Sequence, residues 1–493
     1  RFLVPIVLLL SLITASCDTE TTFVTGEGVN LRFEVDTLRF DTVFTQRGSA
    51  TLFFKVYNEG GDPIKIDQIE VEGTTGVTFD INVDGIQGPQ VGETIIWEDD
   101  SIYVFVEVEV DPTAPENISP FIVEDQIIFT TGGREQSVRL EAFGQNANYI
   151  NDFRRGVPFV LSCNNGTTQW APGLPYVIYG EMFIDSCALE ILAGARVYIH
   201  GGVARNEFFG VFNDGFIFTL PNGSLRVLGT REDPVIIQTD RLEEAFADEP
   251  GQYLGLVFGP NSRGNRLEHT QLLHTIQGIF ADSLSEVSLS NTTVAYSLGP
   301  AIAGRNAEVR AENSLFHSNF GNTIQFIQGG DLTLDHCTLA NYGVDASALA
   351  LQNFECFNED CSANVVVPMV ARVRNSIIAG SRTDEIIFVD ATERQEPLFY
   401  DVTFENCVVR VDDLITNNNG RYGDFFENLC MGCYNLQFRD PLFASIEEDD
   451  YRLDTLSVAK DLGAQILPGL EEDLDGMMRD NMPDAGAFER IED

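Results

Sequence analysis

The chain has very little lysine: Lys55, Lys65 and Lys460 are the only three in 493 residues. Its 30 Lys and Arg face 76 Asp and Glu, a formal net charge of −46, and no basic cluster interrupts it. Such a field repels phosphate backbones and anionic lipid, so nucleic acid is excluded as a partner. Histidine is scarce, at five residues, and the paired cysteines lie far apart, so the four converging ligands of a zinc site are missing. No cysteine falls between 18 and 162, which rules out the inter-sheet disulfide of antibody domains. No apolar run reaches the roughly 20 residues of a membrane span.

What is present begins at the N-terminus. "FLVPIVLLLSLITAS" is an apolar run of 15 residues behind Arg1. Its length fits the hydrophobic region of a secretory signal. "ITASC" resembles a bacterial lipobox, which implies lipidation of Cys17 and a signal peptide over 1–17. The acidic stretch 18–28 then reads as a tether. Export permits disulfides. Cys356 with Cys361 and Cys430 with Cys433 are close enough in sequence to close small loops. Cys163 and Cys187 are placed to pair across a connection.

From 29 to 147 the text reads as short strands. "ATLFFKVYNEG", "SIYVFVEVEV" and "QSVRLEAFG" alternate apolar and polar residues, and Gly, Asp, Asn and Pro punctuate them. One face of each strand is buried and one is wet, as in an immunoglobulin-like β-sandwich. A connection is expected over 148–180. Trp170, Tyr176 and Tyr179 are expected to pack that joint.

A repeated phrase follows. Its anchors are His269, Asn291, Asn313, His336, Asn375 and Asn406, with gaps of 22, 22, 23, 39 and 31 residues. A period near 22 fits one coil of a parallel β-helix, and the two longer gaps are a coil plus an insertion. Such a coil cannot bury its apolar face alone and must stack on a copy of itself. Asn tolerates the left-handed backbone of a sharp corner, and stacked amides form a ladder. The residues two before and three after each anchor are all apolar. The period of two places the anchors on the same face, so they are expected to point inward. The residues one after (Thr270, Thr292, Ser314, Cys337, Ser376, Cys407) are small, so Cys337 and Cys407 read as stacked small positions.

The chain after Tyr149 is similar to the right-handed parallel β-helix lipoproteins of Bacteroidetes-type bacteria. "PYVIYGEMFIDSCALEILAGARVYIHGG", the Asn-centred coils, and the end from "DPLFASIEEDDYRLDTLSVAKDLGA" to "DLDGMMRDNMPDAGAFE" carry the resemblance. It implies an all-β chain: a β-sandwich, a right-handed single-stranded parallel β-helix over 181–440, and a closing segment over 441–493. It also implies the outer membrane and the cell surface as location, and it implies little chemistry.

A lyase of this fold needs carboxylates that hold calcium beside an Arg or Lys base, and a hydrolase needs carboxylates across one groove. Asp240 with Arg241, Asp282, Asp331 with Asp335, and Asp384 with Glu385 are candidates, but none forms a compact motif. Asp240 and Arg241 read as an ion pair in a long turn. In the insertion Gln352–Pro368, Phe354 and Phe357 are candidate stacking surfaces for a sugar or packing for the loop itself. Asp473 and Asp475, followed by Gly476, have the flavour of a calcium loop; the competing reading is a turn that caps the open end of the helix. No cofactor is required, and calcium is the one to test. The expected function is a surface-anchored, non-catalytic lipoprotein whose acidic β-helix binds a glycan or an envelope protein. The alternative is a polysaccharide lyase or glycoside hydrolase.

Overall fold

The computed structural model describes residues 22–490 apart from 45–50, 74–76, 111–120, 152–157, 164–165, 207–209, 359–360, 362 and 417–419. Cys17 and the signal segment 1–17 lie outside the described residues, as does the tether up to residue 21. Two compact units divide the chain between Asn146 and Ala147. No helix among the described residues is long and apolar enough to cross a membrane.

The first unit is a sandwich of two five-stranded sheets. One sheet runs in the order Arg32–Phe33, Leu52–Tyr57, Ser101–Val110, Val77–Val83, Ile86–Gly88; the other runs Thr37–Phe44, Arg134–Gln145, Phe121–Thr131, Ile64–Val71, Gln90–Ile96. Alternation does the sorting. In Ser101–Val110, Ile102, Val104, Val106 and Val108 are buried in the shared core, while Tyr103 and Glu107 face outward. Thr37–Phe44 pairs parallel to Arg134–Gln145, so the N-terminal strand serves both sheets in turn.

The second unit is a parallel β-helix. Its walls are sheets of ten, eleven and nine strands, here the first, second and third sheets. One coil runs from Asn265–Glu268 in the first sheet to Thr270–Leu273 in the second and Ile279–Ala281 in the third. It then returns to Glu286–Ser290, in parallel register with Asn265–Glu268. The helix begins earlier than the sequence suggests. Asn148–Ile150, Phe159–Leu161 and Thr167–Trp170 already pair parallel with Tyr176–Tyr179, Glu181–Ile184 and Ala188–Leu192 of the next coil, so the expected connection holds the strands of a first coil and the start of the second. Trp170 is buried there and stacks on Tyr176 at 4.4 Å.

All six anchors adopt positive φ, from 43° at His269 to 53° at Asn406. They occupy the corner between the first and second sheets, but they do not point inward. A left-handed residue breaks the strand alternation, so the anchor and the residue before it both face out. The residue after it turns in: Thr292, Ser314, Cys337, Ser376 and Cys407 are fully buried. This inner column is hydrogen-bonded. Thr292 N–H donates to Ser314 Oγ at 3.2 Å, and Cys337 N–H to Ser376 Oγ at 3.0 Å. Cys337 and Cys407 are free, buried thiols, as their place in the column requires.

The segment Phe443–Phe488 lies along the flank of the helix and does not cap its end. Its Phe443, Tyr451, Ala459, Ala487 and Phe488 pack on Leu315, Ala340, Ile377 and Val408 of the second sheet. The end is closed elsewhere. After Val408–Val409, where a further third-sheet strand would lie, the chain forms a short helix Asp413–Thr416 and a helical turn Phe425–Leu429. Phe425 is fully buried against Phe404, 5.8 Å between ring centres. Helical backbone offers the third sheet no further strand edge, while Cys430–Met431 and Tyr434–Asn435 end the first and second sheets.

Candidate functional site

An ordered array of charge lies on the outer face of the first sheet. Strand register stacks equivalent positions on successive coils. One column holds Arg266, Ser288, Arg310, Thr333 and Arg372. On one side stand Glu268, Ser290, Glu312, Asp335, Arg374 and Glu405; on the other stand Glu286, Glu308, Asp331, Val370 and Asp401. Successive coils are about 4.8 Å apart, so an all-acid column would repel itself. Arginine between the acids resolves this. Arg310 donates to Glu308 Oε1 from Nε and Nη2 at 2.9 and 2.7 Å. Arg374 grips Asp335 through both oxygens at 2.7 and 2.6 Å. Arg372 pairs with Asp401 and Arg263 with Glu286.

A groove of about 300 Å³ runs beside this face, lined by Arg263, Glu286, Glu308 and Asp331, with Val367 and Pro368 as a lip. Burial, and then the neighbouring Glu308 charge, raise the Asp331 carboxyl above its ordinary range. Burial and the Asp335 charge do the same to Glu312. The hydrogen bond to Asp335 raises the Arg374 guanidinium further. The face therefore presents charge-assisted donors and acceptors in fixed forks to whatever lies across the coils.

The residues singled out in the sequence scatter. Asp240 and Arg241 do not pair with each other. Asp240 holds His200 Nδ1 at 2.8 Å, whereas Arg241 reaches Glu243 at 3.3 Å and covers the Phe246 ring at 3.8 Å. Two neighbouring side chains on an extended segment diverge, which is why adjacency misled. Phe354 is half-buried in a hairpin formed with Asn364–Val366, and Phe357 at its tip is 67% exposed. That hairpin leaves the third sheet, whereas Asp240 follows a second-sheet strand, so these four candidates form no common site. The expected pairs Cys163–Cys187, Cys356–Cys361 and Cys430–Cys433 are disulfides.

Asp473 and Asp475 do not make a metal site. Asp473 accepts backbone N–H groups of Met477 and Glu489, each at 2.7 Å, and Asp475 pairs with Arg452 at 2.6 Å. No cluster of three metal-ligating side chains occurs among the described residues. Glu385 is likewise structural: its oxygens accept N–H of Arg382 and Ala348, and burial pushes its carboxyl up to about 7.

Sequence reasoning singled out only Asp331 and Asp335 of the charged face. It missed Glu308, Arg310, Glu312, Arg372, Arg374 and Asp401. The signal was present in the same alignment, at the positions one, three and five before each anchor. These are the outward positions of the strand that enters the corner.

No family model matches the chain. No curated protein matches it. Among solved structures, it is similar to the catalytic unit of a GH87 α-1,3-glucanase from Streptomyces thermodiastaticus strain HF3-3. The match has 11% identity and a TM-score of 0.33, over 72% of this chain and 74% of that one. A GH87 α-1,3-glucanase catalytic domain in complex with nigerose matches at 11% identity and a TM-score of 0.20, over 72% and 82%. A family 123 glycoside hydrolase from Clostridium perfringens matches at 7% identity and a TM-score of 0.18, over 37% and 44%.

Proposed function

We propose that this is an exported lipoprotein, anchored in the outer membrane through Cys17 and exposed at the cell surface, whose β-helix binds a glycan without cleaving it. One observation carries the reading: Glu286, Glu308, Asp335 and Asp401 on the outer face of the first sheet are tied to arginines. Asp335, 4% exposed and gripped by both arms of Arg374, has both oxygens committed to that fork. Fixed forks instead suit hydroxyl groups, and a polymer running across the coils meets one row of them every ~4.8 Å. Because the arginines offset the acids locally, a neutral polymer is tolerated despite the overall charge.

The test is affinity electrophoresis in gels cast with individual soluble polysaccharides. Retardation by at least one polymer, reduced by Arg310→Ala and by Asp331→Asn, is expected. Equal migration in every gel, or retardation that both substitutions leave intact, contradicts the reading.

A second reading, a glycoside hydrolase, is favoured by Glu308 and Asp331. They stand in register on adjacent strands beside the groove, and Asp331 is shifted towards the neutral acid. New reducing ends that disappear in Asp331→Asn would favour it over simple binding.

A further inference from the structure

The N-terminal sandwich carries a second organised surface, on the outer face of the sheet that contains Leu52–Tyr57 and Ser101–Val110. Phe53 stands directly across from Phe105, and Lys55 from Tyr103. Phe53 is 53% exposed and Tyr103 39%. The three rings form a faceted plate: Phe53 lies 5.6 Å from both Tyr103 and Phe105, tilted to them by 54° and 47°, and Tyr103 stacks on Phe105 at 5.9 Å. Soluble domains rarely leave such a plate bare without a use.

The plate has a polar neighbour on each side. At one end Lys55 Nζ sits over the Tyr103 ring, 4.7 Å from its centre. At the other an open cleft of about 700 Å³ is lined by Phe105, Asn82, Gln87, Asp80 and Glu107. Asp80 and Glu107 are directly opposed across the antiparallel pair, and both are exposed. Like charges in that position weaken a sheet. A cation-bearing ligand held between them beside the aromatic plate would remove that repulsion.

We propose that this face binds an amino-sugar glycan with free amines, its ring lying on Phe53 and Phe105 and its ammonium between Asp80 and Glu107. Sugar rings offer flat C–H faces to aromatic rings, and a cation adds attraction to the ring faces as well as to the carboxylates. Asn82 and Gln87 supply amides for the hydroxyls. The field of the whole chain concentrates cations and does not oppose this ligand.

The inference rests on the sandwich alone and is separable from the β-helix site. The purified full chain is titrated calorimetrically with a short glucosamine oligomer, its fully N-acetylated counterpart and a neutral glucose oligomer. Binding of the glucosamine oligomer, weakened by salt, is expected. Asp80→Asn with Glu107→Gln should lower its affinity about tenfold, the loss of one charge-assisted hydrogen bond. Phe53→Ala should lower it further, while Arg310→Ala on the β-helix leaves it unchanged. The two acid substitutions should also leave the unfolding midpoint equal or higher, since they remove a repulsion. No binding of the glucosamine oligomer, equal binding of all three oligomers, or affinity indifferent to the acid substitutions overturns the proposal.

Discussion

The side-chain amide of Asn313 donates to Oδ1 of Asn291, one coil away, at 2.8 Å, and its own Oδ1 accepts Nη2 of Arg479 at the same distance. One residue thereby ties two coils together and fastens the closing segment to both. The Arg479 side chain is fully shielded from solvent and also holds Glu489 at 3.1 Å. Asn313 sits at φ 52°, where a Cβ is strained.

Asn313→Ala should therefore cost about 3 kcal/mol, by leaving a buried guanidinium N–H without its partner and by straining the corner. Asn313→Gly relieves the strain alone and should cost roughly 1 kcal/mol less. Denaturant unfolding of both variants checks the order.

Gly486 marks a close approach of the closing segment to the coils. It has φ 99°, its N–H donates to Asn375 O at 2.8 Å, and a Cβ there would lie 2.6 Å from Ile377 Cδ1. Gly486→Ala should lift the segment locally. Hydrogen exchange is expected to quicken between Ala459 and Phe488 while the strands of the third sheet keep their protection. Uniform loss of protection would mean that the segment and the coils unfold as one unit.

Glu385 links stability to pH. Burial raises its folded carboxyl to about 7, from an ordinary value of 4.5. The folded state thus holds the proton more tightly than the unfolded chain does. Its contribution is fully present below pH about 4.5 and is lost as pH rises to about 7. Asp331 and Glu312, also raised, act with the same sign. Glu385→Gln places an N–H₂ against one of two backbone donors, so it should be less stable at low pH, yet flatter in stability between pH 5 and 7. Urea unfolding across that range reads the slope, and an unchanged slope would remove Glu385 as its source.

The coil period was legible because three constraints recur together at each corner: a left-handed residue, a small residue after it, and an apolar residue two further on. The direction of the anchors was not, because the left-handed turn at His269 or Asn291 resets the alternation used to infer it. The charged face needed the same alignment read at its outward positions, since Arg310 and Asp331 are neighbours only through strand register. The lateral course of the closing segment had no local signal. Its fixing contact, Arg479 to Asn313, spans 166 residues. The sandwich plate is a similar case: alternation turns Phe53 and Tyr103 outward, but only pairing puts Phe53 opposite Phe105.

Binding without cleavage is measured most directly by chromatography with light scattering on protein mixed with each soluble polysaccharide, with and without calcium. The account predicts that at least one polymer co-elutes with the protein and keeps its full chain length after prolonged incubation. A shortened polymer, or one that elutes free of protein in every mixture, would contradict it.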